Sequence, residues 1–304
     1  MARALALVAA LVLLPGAAAA SGGAWSYADD DSVIGLEQSY QVKPGESLHE
    51  IARRFGLGFN EIAAANPGVD PWVPAEGRLL SIPTRWVLPD APREGIVINL
   101  AEMRLYHFVN PEGARLVKTY PIGIGREGFD TPTGEFSVVQ KIKDPPWIVP
   151  ESIRAEKPEL PAVVPPGPDN PLGSHAMRLS NPSYLIHGTN RPFGVGWRAS
   201  HGCIRLYPED IGELYQAAKD GEKVRIVYQP VKAGVEEGKV YVEVHGDYLE
   251  PRRSPFKDAV PLLKASGLLD RIDKGLLRKA LAEKTGAAVS VSAGAAPGIE
   301  TGMK

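Results

Sequence analysis

Proline and glycine, 28 and 32 of the 304 residues, interrupt this chain so often that few stretches can hold a long helix. Proline removes a backbone donor and clashes with the preceding turn, and glycine costs about 1 kcal/mol in a helix interior relative to alanine. Such punctuation favours short strands joined by turns. The period-two runs agree. Ile96-Val97-Ile98-Asn99-Leu100, Arg104-Leu105-Tyr106-His107-Phe108 and residues 116–122 read as a meander turned at Asn110-Pro111-Glu112-Gly113. Further strands are expected at Ala176-Met177-Arg178-Leu179 and Tyr184-Leu185-Ile186-His187, with residues 224–228 and 240–244 closing the sheet. Pro208-Glu209-Asp210 opens a helix that presents Ile211, Leu214, Tyr215 and Ala218. His107 is expected to be structural and His245 to face solvent.

The N-terminus carries Arg3, an apolar run over residues 4–14, Pro15-Gly16 and small residues through Ala20. That pattern reads as a signal peptide over residues 1–20, too short to span a bilayer, and implies export. Residues 21–38 are small and polar and are expected to be a flexible lead-in. A net charge of −2 and a pI near 6.3 give no global attraction to nucleic acid or acidic membranes.

Residues 39–84 read as a separate small unit. Tyr40-Gln41-Val42 is a strand, Ser47 and Glu50 form a capping box, and the helix it opens carries Leu48, Ile51, Ala52 and Phe55. Gly56 stops that helix, a second follows at about residues 60–65, and Arg78-Leu79-Leu80-Ser81-Ile82 returns as a strand. Residues 85–94, with Pro89 and Pro92, are expected to form a stiff linker. Beyond the main β domain, over 95–229, come a sheet-closing segment over 230–250 and a helical extension over 251–285. Two amphipathic helices there carry Ala259, Leu262, Leu263 and Leu276, Leu277, Leu281, and are expected to dock on the main domain. The Gly/Ala/Ser tail over 286–304 reads as disordered. The proline-dense residues 143–171 are either a lid, with Trp147 as its apolar tip, or a passive insertion.

The chemistry concentrates in HGTNRPFGVGWRASHGCIRL, residues 187–206. Cys203 is the only cysteine, so no intramolecular disulfide can form, and an exported chain that keeps one thiol is a candidate for nucleophilic catalysis. An inert core cysteine is the alternative. An ordinary thiol is only a few per cent thiolate at neutral pH, so it needs a base. His187 arrives from its own strand and can approach the sulfur, holding a thiolate as an ion pair; His201, two positions before Cys203, would point away and shape the pocket. Backbone N–H groups at Gly202 and Cys203 are candidate oxyanion donors, and Arg205 either holds a substrate carboxylate or braces the loop. His187, His201 and Cys203 could in principle bind zinc, but no fourth ligand is evident, so neither a metal nor another cofactor is expected.

Residues YQVKPGESLHEIARRFG, IAAANPGVD and GRLLSIP resemble a LysM domain, which implies binding to the glycan strands of peptidoglycan, with Trp72 as the available stacking aromatic. The segment with His187, Ser200, His201, Gly202, Cys203, Ile204 and Arg205, together with Thr131-Pro132-Thr133-Gly134 and Pro171-Leu172-Gly173, resembles the L,D-transpeptidases with a YkuD-type catalytic domain. The resemblance implies a mainly β, sandwich-like catalytic domain with one or two helices, preceded by a βααβ LysM unit. It implies Cys203, His187, His201 and Gly202 as catalytic positions and Arg205, Ser200, Gly188 and Trp147 as substrate-contacting ones. The implied reaction is acyl transfer from peptidoglycan tetrapeptide stems through a thioester, giving 3-3 crosslinks or attaching a lysine-ended outer-membrane lipoprotein to the wall. The domain order is most similar to the exported subgroup that includes lipoprotein-anchoring enzymes. An L,D-carboxypeptidase using water, or a wall-binding protein without catalysis, are the alternatives. The expected location is periplasmic and wall-associated.

Overall fold

The computed structural model describes residues 23–28 and 30–294; the expected signal peptide and residues 295–304 of the expected tail lie outside them. Among the described residues, nine strands form one sheet in the order Ala24–Ser26, Leu116–Pro121, Arg104–Val109, Gly95–Asn99, Lys223–Val227, Gly134–Lys143, His175–Leu179, Leu185–His187 and Ile204–Arg205. The sheet rolls back on itself. Gly123, just past the Leu116–Pro121 strand, exchanges both backbone hydrogen bonds with Arg205 at the far edge, at 2.8 and 2.9 Å. The sandwich-like domain is therefore one bent sheet around one core, in which Ile96, Ile98, Leu105 and Tyr120 join Val138, Met177, Ile186 and Ile204. The helix Pro208–Ala217 adds Ile211 and Leu214 to this core.

Alternation puts Val97, Tyr106, Phe108 and Val117 on the other face of the same strands, and the N-terminal unit covers them. That unit is βααβ: strands Gln38–Gln41 and Leu79–Ile82 pair antiparallel, and helices Leu48–Arg54 and Phe59–Ala65 lie between them. Ser47 and Glu50 form the capping box read from the sequence. Leu48, Ile51, Leu57, Ile62, Leu80 and Ile82 share a core with the sheet, so the unit is fused to it.

Several expected boundaries change. The described residues of the expected flexible lead-in include two strands: Ala24–Ser26 extends the large sheet and Val33–Gly35 pairs with Arg85–Val87. The stiff linker begins as that same strand, with Trp86, Val87 and Leu88 buried, because three consecutive apolar side chains outweigh the prolines that follow. Lys223–Val227 is a central strand of the sheet and does not close it. Strands Val231–Glu236 and Lys239–Val244 leave it to form a second sheet with Val289–Ser290. The helices Phe256–Ala265 and Lys274–Glu283 pack on that second sheet through Ala259, Leu263, Leu277 and Leu281 and do not join the core of the large sheet. Residues 286–294 are ordered with it, Val291 being 1% exposed. His245 is buried and contacts Glu243 at 2.6 Å.

Two buried polar knots join these units. Arg104, in the large sheet, contacts both oxygens of Glu61 at 2.9 and 2.7 Å, and also donates to Thr119 Oγ1 and the Gly56 carbonyl. Trp86 Nε1 and the Gly58 N–H donate to the same carboxylate. Lys232 Nζ donates to Glu102, Glu243 and the Val87 carbonyl, at 2.7, 2.9 and 2.6 Å, and so ties the second sheet to the first. Removing one partner of such a pair strands a charge in the interior. Glu61→Ala should cost about 3–5 kcal/mol, read as a lower urea midpoint of a single cooperative transition. An unchanged midpoint would show that this pair does not couple the two units.

Candidate active site

Strands Leu185–His187 and Ile204–Arg205 run parallel, with Ile186 beside Ile204 and His187 beside Arg205. Ile186 and Ile204 point into the core at 0% exposure, so His187 and Arg205 face the opposite way. Cys203, two residues before Arg205, falls on that face too. All three side chains line one cavity of about 460 Å³. A second cavity of similar size, about 470 Å³, lies against helix Phe256–Ala265 and contains neither thiol nor imidazole.

His187 is buried, and its Nδ1 lies 2.6 Å from the Gly188 carbonyl. A carbonyl can only accept, so that contact assigns a proton to Nδ1. Burial, and then the positive charge of Arg205, lower its pKa to about 3, against the carbonyls of Gly188 and Leu172. The ring is therefore neutral at physiological pH. Cys203 is half-buried, and burial raises its pKa, opposed by the Leu185 N–H and by Arg205. Its sulfur contacts the Ser183 carbonyl at 3.9 Å and, among the described residues, makes no hydrogen bond to His187. Both shifts run against the expected ion pair, because burial penalises both charges and Arg205 opposes an imidazolium.

The turn before Cys203 is braced from several sides. Ser200 Oγ donates to the Cys203 carbonyl at 2.6 Å and accepts from the Gly202 N–H at 3.1 Å. Thr131 Oγ1 donates to the Gly202 carbonyl at 2.9 Å and accepts from the Gly125 N–H. Gly202 has φ +102°, and a Cβ there would sit 2.9 Å from the Tyr184 ring, so only glycine fits. Its N–H is spent on Ser200, which corrects the expectation that it is free for an oxyanion; the Cys203 N–H has no partner among the described residues.

His201 also lines the cavity. Its Nε2 lies 3.0 Å from Arg126 Nη2 and 3.5 Å from Glu156, and its ring packs against Phe129. Glu156 ends a short helix, Glu151–Glu156, within the proline-dense segment, and pairs with Arg126 at 2.8 Å. That segment is built: Trp147–Ile148 pairs with Val163–Val164, and the buried Asn170 amide donates to the Pro145 and Pro165 carbonyls. Trp147, Ile153 and Leu160 form a cavity wall. Gly188 is packed so that a Cβ would meet Ile211 at 2.9 Å.

The loop between His187 and Cys203 rests on the N-terminal unit. Trp197 stacks on Phe59 at 4.9 Å, Phe59 on His49 at 4.2 Å and His49 on Trp72 at 4.8 Å. Phe193 meets His49 edge-on. Sequence reasoning missed Arg126, Arg191 and this stack, since none has a local signature; the aromatics of residues 193–197 were the available hint.

His187, His201 and Cys203 do not form a converging ligand set. Among the described residues, the group able to hold a metal is Glu102, Glu243 and His245, and the Lys232 ammonium already contacts both carboxylates.

A family model for the L,D-transpeptidase catalytic domain (YkuD) matches residues 93–226, and one for the LysM domain matches residues 40–83. The chain is 46% identical over 237 residues to the probable L,D-transpeptidase YcfS of Escherichia coli (strain K12), covering 74% of this chain and 73% of that one. It is 39% identical to the probable L,D-transpeptidase ErfK/SrfK of Salmonella typhimurium, covering 84% and 85%.

The protonation state of Cys203 can be read by alkylation, since it is the only thiol. Iodoacetamide labelling should keep rising with pH beyond the ordinary thiol pKa of about 8.5. A plateau already reached at about pH 6 would instead reveal a thiolate–imidazolium pair.

Proposed function

This chain belongs to the L,D-transpeptidase family, and on that premise we propose that it is an exported cysteine acyltransferase acting on peptidoglycan tetrapeptide stems. The observation that carries the reading is the convergence of Cys203, a neutral His187 and Arg205 on one face of a parallel strand pair, inside one cavity. As the thiol attacks the carbonyl of the third stem residue, His187 Nε2 takes its proton, so charge develops only when the substrate is in place. The Cys203 N–H donates to the oxyanion. Collapse expels the terminal D-alanine, whose amine receives the proton from His187, and leaves a thioester on Cys203. An acceptor amine then attacks the thioester and gives up a proton to His187; the C–S bond breaks, the new amide forms, and His187 returns the proton to the Cys203 sulfur. A stem amine yields a 3-3 crosslink, and the lysine of an outer-membrane lipoprotein yields an anchored protein; water in its place would make the enzyme an L,D-carboxypeptidase.

Trp147 forms a substrate-facing wall and Arg205 a polar contact, while Ser200, Gly188 and Gly202 act by fixing the backbone around the two reacting side chains. His201, held between Arg126 and Glu156, shapes the pocket. The LysM unit keeps Trp72 64% exposed, available to a glycan strand. Among the described residues no helix is long and apolar enough to cross a membrane, and the reading places the enzyme at the wall.

Intact mass after incubation with a disaccharide-tetrapeptide tests the reaction. The wild-type chain should gain the acyl group with loss of D-alanine, and Cys203→Ala should gain nothing. His187→Ala should slow acylation by about 10²–10⁴-fold, the usual contribution of a general base, and His201→Ala by much less. An adduct that persists in Cys203→Ala would exclude the mechanism.

A further inference from the structure

Arg205 is distinctive beyond its place beside His187. The residue is half-buried, its Nε is buried without a hydrogen-bond partner, and no hydrogen bond or ion pair engages the side chain among the described residues. A buried cation is usually paired, because desolvation is costly without a compensating charge. Arg191 lines the same cavity from the loop that follows His187. Its side chain is exposed and likewise has no hydrogen bond or ion pair among the described residues. The acidic residues on the cavity wall, Glu159 and Asp169, pair with neither arginine. Burial pulls Arg205 below its ordinary pKa, and the nearby Arg191 charge adds to that effect. Two arginines thus line one cavity, neither ion-paired among the described residues, one half-buried beside His187 and one exposed.

We propose that Arg205 and Arg191 together bind the free terminal carboxylate of the donor peptide, and thereby select stems that end one residue beyond the bond Cys203 attacks. The inference rests on the reading of Cys203 as the nucleophile of a stem peptide acyl transfer. In such a donor the leaving residue carries its carboxylate within one residue of the reacting carbonyl, and Arg205 lines the same cavity two residues after Cys203. Guanidinium groups suit carboxylates because their donors lie in a planar fork. Arg205 would supply a desolvated contact near the chemistry, and Arg191 would close over the carboxylate from the loop. A longer stem, whose next residue is an amide, would leave both charges unpaired and bind weakly. The selectivity is therefore electrostatic and needs no steric block at the end of the cavity.

The test is binding to the full-length Cys203→Ala protein, in which chemistry is silent, by calorimetry with two tetrapeptide donors that differ only in a terminal carboxylate or carboxamide. The carboxylate should bind about 10–100-fold more tightly, as expected for charge-assisted hydrogen bonds. Adding Arg191→Gln, at an exposed position where folding is not at stake, should bring the ratio close to one by weakening the carboxylate donor alone. Arg205→Gln should do the same, with circular dichroism verifying its fold. Equal affinity for the two donors, no saturable binding of either, or a ratio that survives Arg191→Gln would overturn the two-arginine site. Failure of the proposed function looks different: the carboxylate preference would persist while the wild-type chain formed no thioester.

Discussion

The bidentate contact between Arg104 and Glu61 is the constraint on which the arrangement of this protein turns. Arg104 is the fully buried first residue of a β-strand, with apolar neighbours on both sides, and a guanidinium there is tolerable only if its charge and donors are met. Glu61 meets the charge, and Thr119 and the Gly56 carbonyl take further donors. Glu61 belongs to the LysM unit and Arg104 to the catalytic sheet, so each unit holds half of a group that the other needs. The apolar face shared by Tyr106, Phe108, Ile51 and Ile62 then follows from the same docking.

This docking has a chemical consequence. The loop that separates His187 from Cys203 is propped on the LysM unit through Trp197, Phe59 and His49. The backbone agrees, since a Cβ on Gly196 would come within 2.3 Å of the Phe59 nitrogen. Catalytic geometry depends on restraint of the backbone that carries it, and here part of that restraint comes from a module whose family role is recognition. The same loop brings Arg191 to the cavity. The loop that leads from His187 to Cys203 therefore joins the cavity wall to the LysM unit.

The sequence showed the local features and missed the distant ones. The capping box at Ser47 and Glu50, the period-two strands around residues 96 and 105, and the pairing of His187 with Cys203 in one site all rest on signals within a few residues or on motif spacing. The partners of Arg104 and Lys232 do not, since a lysine inside Val231–Glu236 reads as a solvated strand face until Glu102 and Glu243 arrive from elsewhere. His245 was misread for the same reason. At residues 85–94 the prolines outweighed the Trp86-Val87-Leu88 run in the reading, whereas in the fold burial of those side chains decided the outcome. In the site, the opposing pKa shifts of His187 and Cys203 were invisible because they depend on burial and on Arg205, and the fate of the Gly202 N–H depended on a serine rotamer.

The shared core also bears on how such a chain can change over time. A wall-binding module joined by a free tether can be exchanged for another by recombination at the linker. Here a replacement module would have to bring a carboxylate to Arg104, an apolar face to Tyr106 and Phe108, and a ring to Trp197. A substitution on the contact face of either segment is therefore felt by both.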